Sequence, residues 1–227
     1  MPLHSLNDYL PTIDLYLAHW AEANAAKPAP LVLEGGETRA DLQTVRAEFA
    51  QASATVLKAE NDAQAGAAKR DLARKDALSV GRAARNAILG LIPSSPEAKS
   101  LPTIPGDGAD PEKQLTALRD VEAIWQSLGE LPKGQYPSLP RPLTVEVEDA
   151  PGKVRHVGLG AYSVSVAALD SELQALRVAS QERTRAQKDR QKAAEHGKAL
   201  LTRYAETIRR VFPRTSAVYR SLPKLSG

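Results

Sequence analysis

The chain of 227 residues contains no cysteine. That excludes disulfides, thiolate zinc sites, cysteine-bound iron–sulfur clusters and thiol nucleophiles together. Aromatic residues are scarce, with two Phe, two Trp and six Tyr making up 4% of the chain. No apolar run reaches the roughly 18 residues of a spanning helix. The start, Met-Pro-Leu-His-Ser-Leu-Asn-Asp, has neither the basic region nor the apolar region of a secretory signal, so a cytoplasmic chain without a membrane span is expected. The four histidines are His4, His19, His156 and His196. None stands in the Glu-x-x-His pair of a di-iron bundle or in a His-Glu-x-x-His zinc motif. Glu195 and His196 are neighbours and point to different helix faces, and His19 reads as a surface or half-buried side chain. There is no phosphate loop, no Gly-x-Gly-x-x-Gly and no Gly-x-Ser-x-Gly elbow. Gly158-Leu-Gly160 reads as a turn, and Ser79 and Ser180 have no base evident in the sequence. No catalytic residue, metal ligand or cofactor is therefore expected.

What is present is helical periodicity in a chain of ordinary balance, 42% hydrophobic and 25% charged. Leu6, Leu10, Ile13, Leu17 and Trp20 recur at steps of four and three, an amphipathic helix to about Ala26 that kinks or starts near Pro11. Lys27 to Gly36 is proline-rich, with Leu31 to Leu33 suited to a short strand. Thr38 with Asp41 three residues on resembles a capping box. From Leu42 one seam passes through Val45, Phe49, Val56, Ala63, Arg70, Ala77, Ala84 and Leu91 without slipping, so Thr38–Leu91 is expected as one helix of roughly 80 Å. Ser94 to Asp110 reads as a linker. Asp110-Pro111 then opens a helix through Leu115, Leu118, Val121 and Trp125 to Leu128. Leu143–Glu148 alternates like a strand, Lys153–Leu159 can return beside it, and Gly158 and Gly160 release the chain. A last long helix is expected over Val164–Val211, ended by Pro213.

The order helix, proline segment, strand, long helix, proline stop occurs twice. Trp20 answers Trp125, Pro28-Ala-Pro-Leu answers Pro140-Arg-Pro-Leu, and Pro93 answers Pro213. This predicts an internal duplication, residues 1–102 and 103–227, packed as one domain. The expected fold is mainly α: an elongated bundle of two long and two short helices, with pseudo-twofold symmetry and a small sheet to which both halves contribute.

Charge is uneven. The net charge of +3 hides +7 over Ser163–Gly227 and −4 over the remainder. Arg183, Arg185, Lys188, Arg190 and Lys192 lie close together on the last helix, and Ser180, Arg183, Gln187 and Arg190 occupy its seam. Charged seam residues are costly if buried alone, so they reach solvent, pair with carboxylates such as Asp62 and Asp71, or meet a partner. The five basic residues are the candidate interaction surface. The reading is a non-enzymatic structural or protein-interaction module, with a protein partner or self-association expected. The alternatives are a nucleic-acid or anion binder using the C-terminal helix and an unrecognised enzyme.

Overall fold

The computed structural model describes residues 6–132, 134–150 and 152–224. The chain is mainly α, with 72% of it in helix. A 3-10 turn, Leu6–Asp8, leads into α1 (Tyr9–Ala25), followed by α2 (Arg39–Leu91), α3 (Pro96–Ser100) and α4 (Pro111–Glu130). The strands β1 (Thr144–Ala150) and β2 (Lys153–Gly158) precede α5 (Leu159–Val211) and α6 (Ala217–Ser221).

Local chemistry explains most of these bounds. Pro11 is the third residue of α1, inside the first turn, where its missing N–H has no intrahelical partner to lose. At the start of α2 the Asp41 carboxylate accepts from the Thr38 backbone N–H (2.7 Å) and hydroxyl (2.8 Å), and these bonds hold its pKa below the ordinary value. The Asp110 carboxylate caps α4 by accepting from the Glu112 N–H at 2.9 Å, with Pro111 in the first turn. The expected linker 94–110 contains α3, capped by Ser95, whose hydroxyl oxygen accepts from the Ala98 N–H (3.0 Å). Ser216 caps α6 in the same way, through the Tyr219 N–H (3.1 Å). α5 begins five residues before the expected Val164. Gly160 costs a helix only about 1 kcal/mol relative to alanine, and wholly buried Tyr162 outweighs it.

The sheet differs from expectation. It is a single antiparallel hairpin, with Val145 opposite Val157, a bulge between Glu148 and Ala150, and Gly152 at φ 76° in the turn. Val145, Val147 and Val157 are buried while Glu146 and Glu148 are exposed, so one face is packed. Leu31 to Leu33 form no strand. Leu31 and Leu33 are buried, but the Leu31 N–H donates to Asn24 Oδ1 (2.8 Å) and the Leu33 N–H to the Glu37 carbonyl (2.9 Å). With those backbone groups satisfied locally, this segment joins no sheet.

The chain folds into two compact units, and α2 and α5 run through both. The first comprises the described residues of Met1–Asn61 and Ser180–Gly227. Its core joins Ile13, Tyr16 and Trp20 of α1 to Leu42 and Val45 of α2 and to Leu200, Tyr204 and Ile208 of α5. The Trp20 ring lies 4.5 Å from that of Tyr204, and Tyr16 meets the same tyrosine edge-on at 5.8 Å. His19 is buried, which corrects the surface or half-buried reading. Its Nε2 lies 2.8 Å from the Val218 carbonyl oxygen and so is the donor. Its Nδ1 then accepts from the Tyr204 hydroxyl at 2.7 Å. The Tyr16 hydroxyl donates to the Pro223 carbonyl (2.7 Å), and burial pushes its pKa up to about 12.

The second unit is Asp62–Ala179, with its described residues packed around Trp125 and Tyr162, whose rings stack at 5.5 Å. The Tyr162 hydroxyl donates to the Leu118 carbonyl (2.9 Å), and burial raises its pKa. Here α2 approaches α4 at Gly81, where a Cβ would collide with Leu118 and lie 2.9 Å from the Tyr162 hydroxyl.

His19→Ala would leave the Tyr204 hydroxyl and the Val218 carbonyl without their shared partner. The expected loss is about 1–3 kcal/mol of unfolding free energy, read by urea denaturation. An unchanged midpoint would show that His19 does not tie α1 to the C-terminal segment.

Candidate interaction surface and cavities

α5 places the predicted basic residues within three turns. Arg183, Arg185, Lys188 and Lys192 are exposed and Arg190 is half-buried. Arg185, Lys188 and Lys192 follow at steps of three and four and therefore share a stripe. Among the described residues none of the five makes a hydrogen bond or ion pair, and Arg190 Nε is shielded without a partner. Of the two carboxylates suggested for these seam arginines, Asp62 and Asp71, the latter binds Arg70 at 2.5 Å. Of the seam positions, Arg183 and Gln187 are exposed, Ser180 and Arg190 are half-buried and Ala194 is buried, while Ala186, off the seam, is buried as well. Gln187 Nε2 donates to Glu60 Oε1 at 3.4 Å. Beside the stripe, Gln181, Thr184, Arg185 and Lys188 border a shallow depression of about 420 Å³.

Elsewhere arginines serve the fold. In the second unit Arg74, Arg82 and Arg85 project from α2 to the segment 102–109. Arg74 donates to Gln114 Oε1 (2.5 Å) and to the carbonyls of Asp107 and Ala109. Arg82 donates to the Pro105 carbonyl (3.3 Å) and the Asp107 carboxylate (2.6 Å), and Arg85 to the Pro102 carbonyl (2.8 Å). Gln114 completes the strap through the Gly106 carbonyl at 2.5 Å. These guanidinium groups satisfy the backbone oxygens of a proline- and glycine-rich segment that forms no helix or strand. The cleft of about 470 Å³ along this strap is bordered by Asp71, Lys75, Leu78 and Ser79, together with Asp107, Arg74 and Arg82. Asp71, Lys75 and Ser79 are exposed, and Arg74 and Arg82 are half-buried.

A smaller cavity of about 220 Å³ lies beside Trp125, walled by Leu128, Leu139, Leu143 and Leu159 and bordered by Gly129 and Arg141. Sequence reading missed it, because its walls come from the end of α4, the Pro140–Leu143 segment and the start of α5. The one signal available was Arg141 between two prolines. Sequence reading also missed an uncharged face of α5. Val164, Ala168, Ser171, Ala175 and Val178 follow at steps of four and three, and all are exposed.

Removing the strap tests its role. Arg74→Ala is expected to cost about 1.5–3 kcal/mol, the range for hydrogen bonds to a charged group. It should also speed amide exchange at Ala109, whose N–H donates to the Gly106 carbonyl. Unaltered exchange there would mean that Arg74 does not order the segment. Compared with protein-family models, curated proteins and solved structures, the chain matches none.

Proposed function

We propose that the chain is a non-enzymatic structural or protein-interaction module and that α5 carries the surface through which it associates. The observation that carries this reading is the uncharged face of α5 in the second unit. Val164 is 68% exposed and Val178 54% exposed, with Ala168, Ser171 and Ala175 between them and Ala161 and Ala167 alongside. In a chain that is 25% charged, a contiguous exposed face without charge is poorly suited to water alone. Covering a valine contributes about 1.5–3 kcal/mol.

A second copy lying antiparallel about Ser171 would set Val164 against Val178, Ala167 against Ala175 and Ala168 against Gln174, an uncharged and self-complementary contact of the kind a twofold interface requires. The face is about 21 Å long from Val164 to Val178 at the helical rise. A single helix pair of that length buries less than the usual ~800 Å² per partner, so the dimer is expected to dissociate on dilution. Glu172, at the edge of the face, would approach its own mate and weaken it further.

The absence of native cysteine makes this testable with single introduced thiols. Ser171→Cys should form an interchain disulfide rapidly under mild oxidation, and Leu72→Cys, on an exposed site of the same unit, should not. Val164→Lys with Val178→Lys should give a monomer by light scattering with helicity retained. A wild-type chain that stays monomeric at high concentration, with Ser171→Cys no faster than Leu72→Cys, removes self-association. A photoreactive residue at position 164 that yields no protein adduct in the native cell removes the interaction reading altogether.

A second reading rests on the five basic side chains that lack ion pairs. An anionic polymer such as nucleic acid would pair with Arg185, Lys188 and Lys192. Binding of that kind falls steeply with salt, by roughly one counterion per phosphate neutralised. DNA retention at low salt, lost in the Arg185, Lys188 and Lys192→Gln triple variant, is its expected signature. No retention at low salt ends it.

The module is proposed to have arisen by duplication. In support, α2 and α5 both have 53 residues, and their starts and ends keep the same spacing in sequence. α3 and α6 both have five residues and begin at a serine cap.

A further inference from the structure

We infer that the C-terminal end of the first unit docks on an anionic lipid surface. This surface is separate from the uncharged face of α5, uses none of the five basic residues discussed above and does not depend on either reading. From Thr207 to Lys224 the sequence has the basic residues Arg209, Arg210, Arg214, Arg220 and Lys224 and no acidic one. All of these basic residues are exposed. Arg210 reaches Glu34 at 3.4 Å, and Arg220 donates to the Thr215 carbonyl at 2.8 Å. Arg209, Arg214 and Lys224 make no hydrogen bond or ion pair among the described residues. The fold gathers them. Burial raises the Tyr16 pKa and the Arg209 charge opposes that rise, so Arg209 stands near the Tyr16 hydroxyl. The same hydroxyl donates to the Pro223 carbonyl at 2.7 Å, which brings Lys224 to that end of the unit. Between them the Ser216 N–H donates to the Pro213 carbonyl (2.9 Å), a turn that returns the chain to α1, where α6 lies.

The local fold does not need this charge. In the second unit Ala87–Ile104 builds the same parts, the end of a long helix, a proline turn and a serine-capped helix of five residues. It does so with one acidic residue, Glu97, and one basic residue, Lys99. What lies between the charges favours lipid over nucleic acid. Val211 is 40% exposed and Pro213 is exposed, and both stand between Arg210 and Arg214. Apolar side chains among basic ones suit the headgroup boundary, where hydrocarbon and anionic charge meet. The rings that could stack on bases, Phe212 and Tyr219, are half-buried, and Phe212 packs against the core of the unit.

Co-sedimentation of the intact chain with vesicles of phosphatidylcholine and phosphatidylserine in equal parts tests this. At low salt the chain should pellet with them, stay in solution with phosphatidylcholine alone, and be released by added salt. Each basic residue near an anionic leaflet strengthens binding about fivefold, so Arg209→Gln, Arg214→Gln and Lys224→Gln together should weaken it about a hundredfold. The Arg185, Lys188 and Lys192→Gln triple variant should bind as the wild type does. Val211→Trp should bind more tightly, because an indole settles at the headgroup level. A wild-type chain that stays in solution with the mixed vesicles at low salt overturns the proposal. So does an equal loss in both triple variants, or a Val211→Trp chain that binds no tighter. Retention of a short DNA duplex that is lost in the Arg209, Arg214 and Lys224→Gln variant, with no binding to vesicles, would assign this end to nucleic acid instead.

Discussion

Trp20 against Tyr204 and Trp125 against Tyr162 are the contacts around which the two compact units close. With aromatics so few, these rings carry a disproportionate share of the buried apolar area, since an aromatic side chain buries 150–250 Å². Each tyrosine also has its hydroxyl satisfied, Tyr204 by His19 and Tyr162 by the Leu118 carbonyl. That fixes the rotation of α5 in both units. A tyrosine whose hydroxyl must reach one acceptor cannot rotate with the helix, whereas a leucine could.

The contrast along α2 follows from this. Its seam is rich in alanine between Ala59 and Ala77, and alanine contributes little on burial. Residues such as Leu42, Phe49, Ile88 and Ile92 lie nearer the ends of the helix or just past it, and each belongs to the core of its own unit. The continuity of the 53 residues depends on high helix propensity and on the absence of proline within it.

Periodicity and capping were legible in the sequence because both are local. The unbroken seam marked α2 and α5, Asp110-Pro111 marked the start of α4, and Thr144–Glu148 alternated as a strand does. The failures lie where distant groups decide. Leu31 to Leu33 have strand composition, but the Asn24 side chain and the Glu37 carbonyl take up backbone groups that a strand partner would need. Gly158 and Gly160 resemble a release of the chain, yet burial of Tyr162 draws the helix back to Leu159. His19 looked superficial because its partners, Tyr204 and Val218, are nearly 200 residues away in sequence. The five basic residues were found by charge alone. The cavity at Trp125 was not, because its walls come from separate segments of the chain.

The arginines separate into two kinds by what their guanidinium groups find. Arg74, Arg82 and Arg85 bind the carbonyls of a segment with no secondary structure to satisfy them, and Arg39 donates to the carbonyl of Leu17, within α1. Arg46, Arg119, Arg177 and Arg203 reach carboxylates. Such groups have an internal use, and exposed ion pairs of this kind contribute only tenths of a kcal/mol to about one. Arg183, Arg185 and Arg190 find neither a carbonyl nor a carboxylate among the described residues, although Glu182 and Asp189 stand beside them in sequence. Neighbours one residue apart on a helix diverge by about 100°, so adjacency in sequence does not pair them. Arg141 belongs with neither kind, since one of its nitrogens is bound to the Leu131 carbonyl and another is shielded beside a cavity.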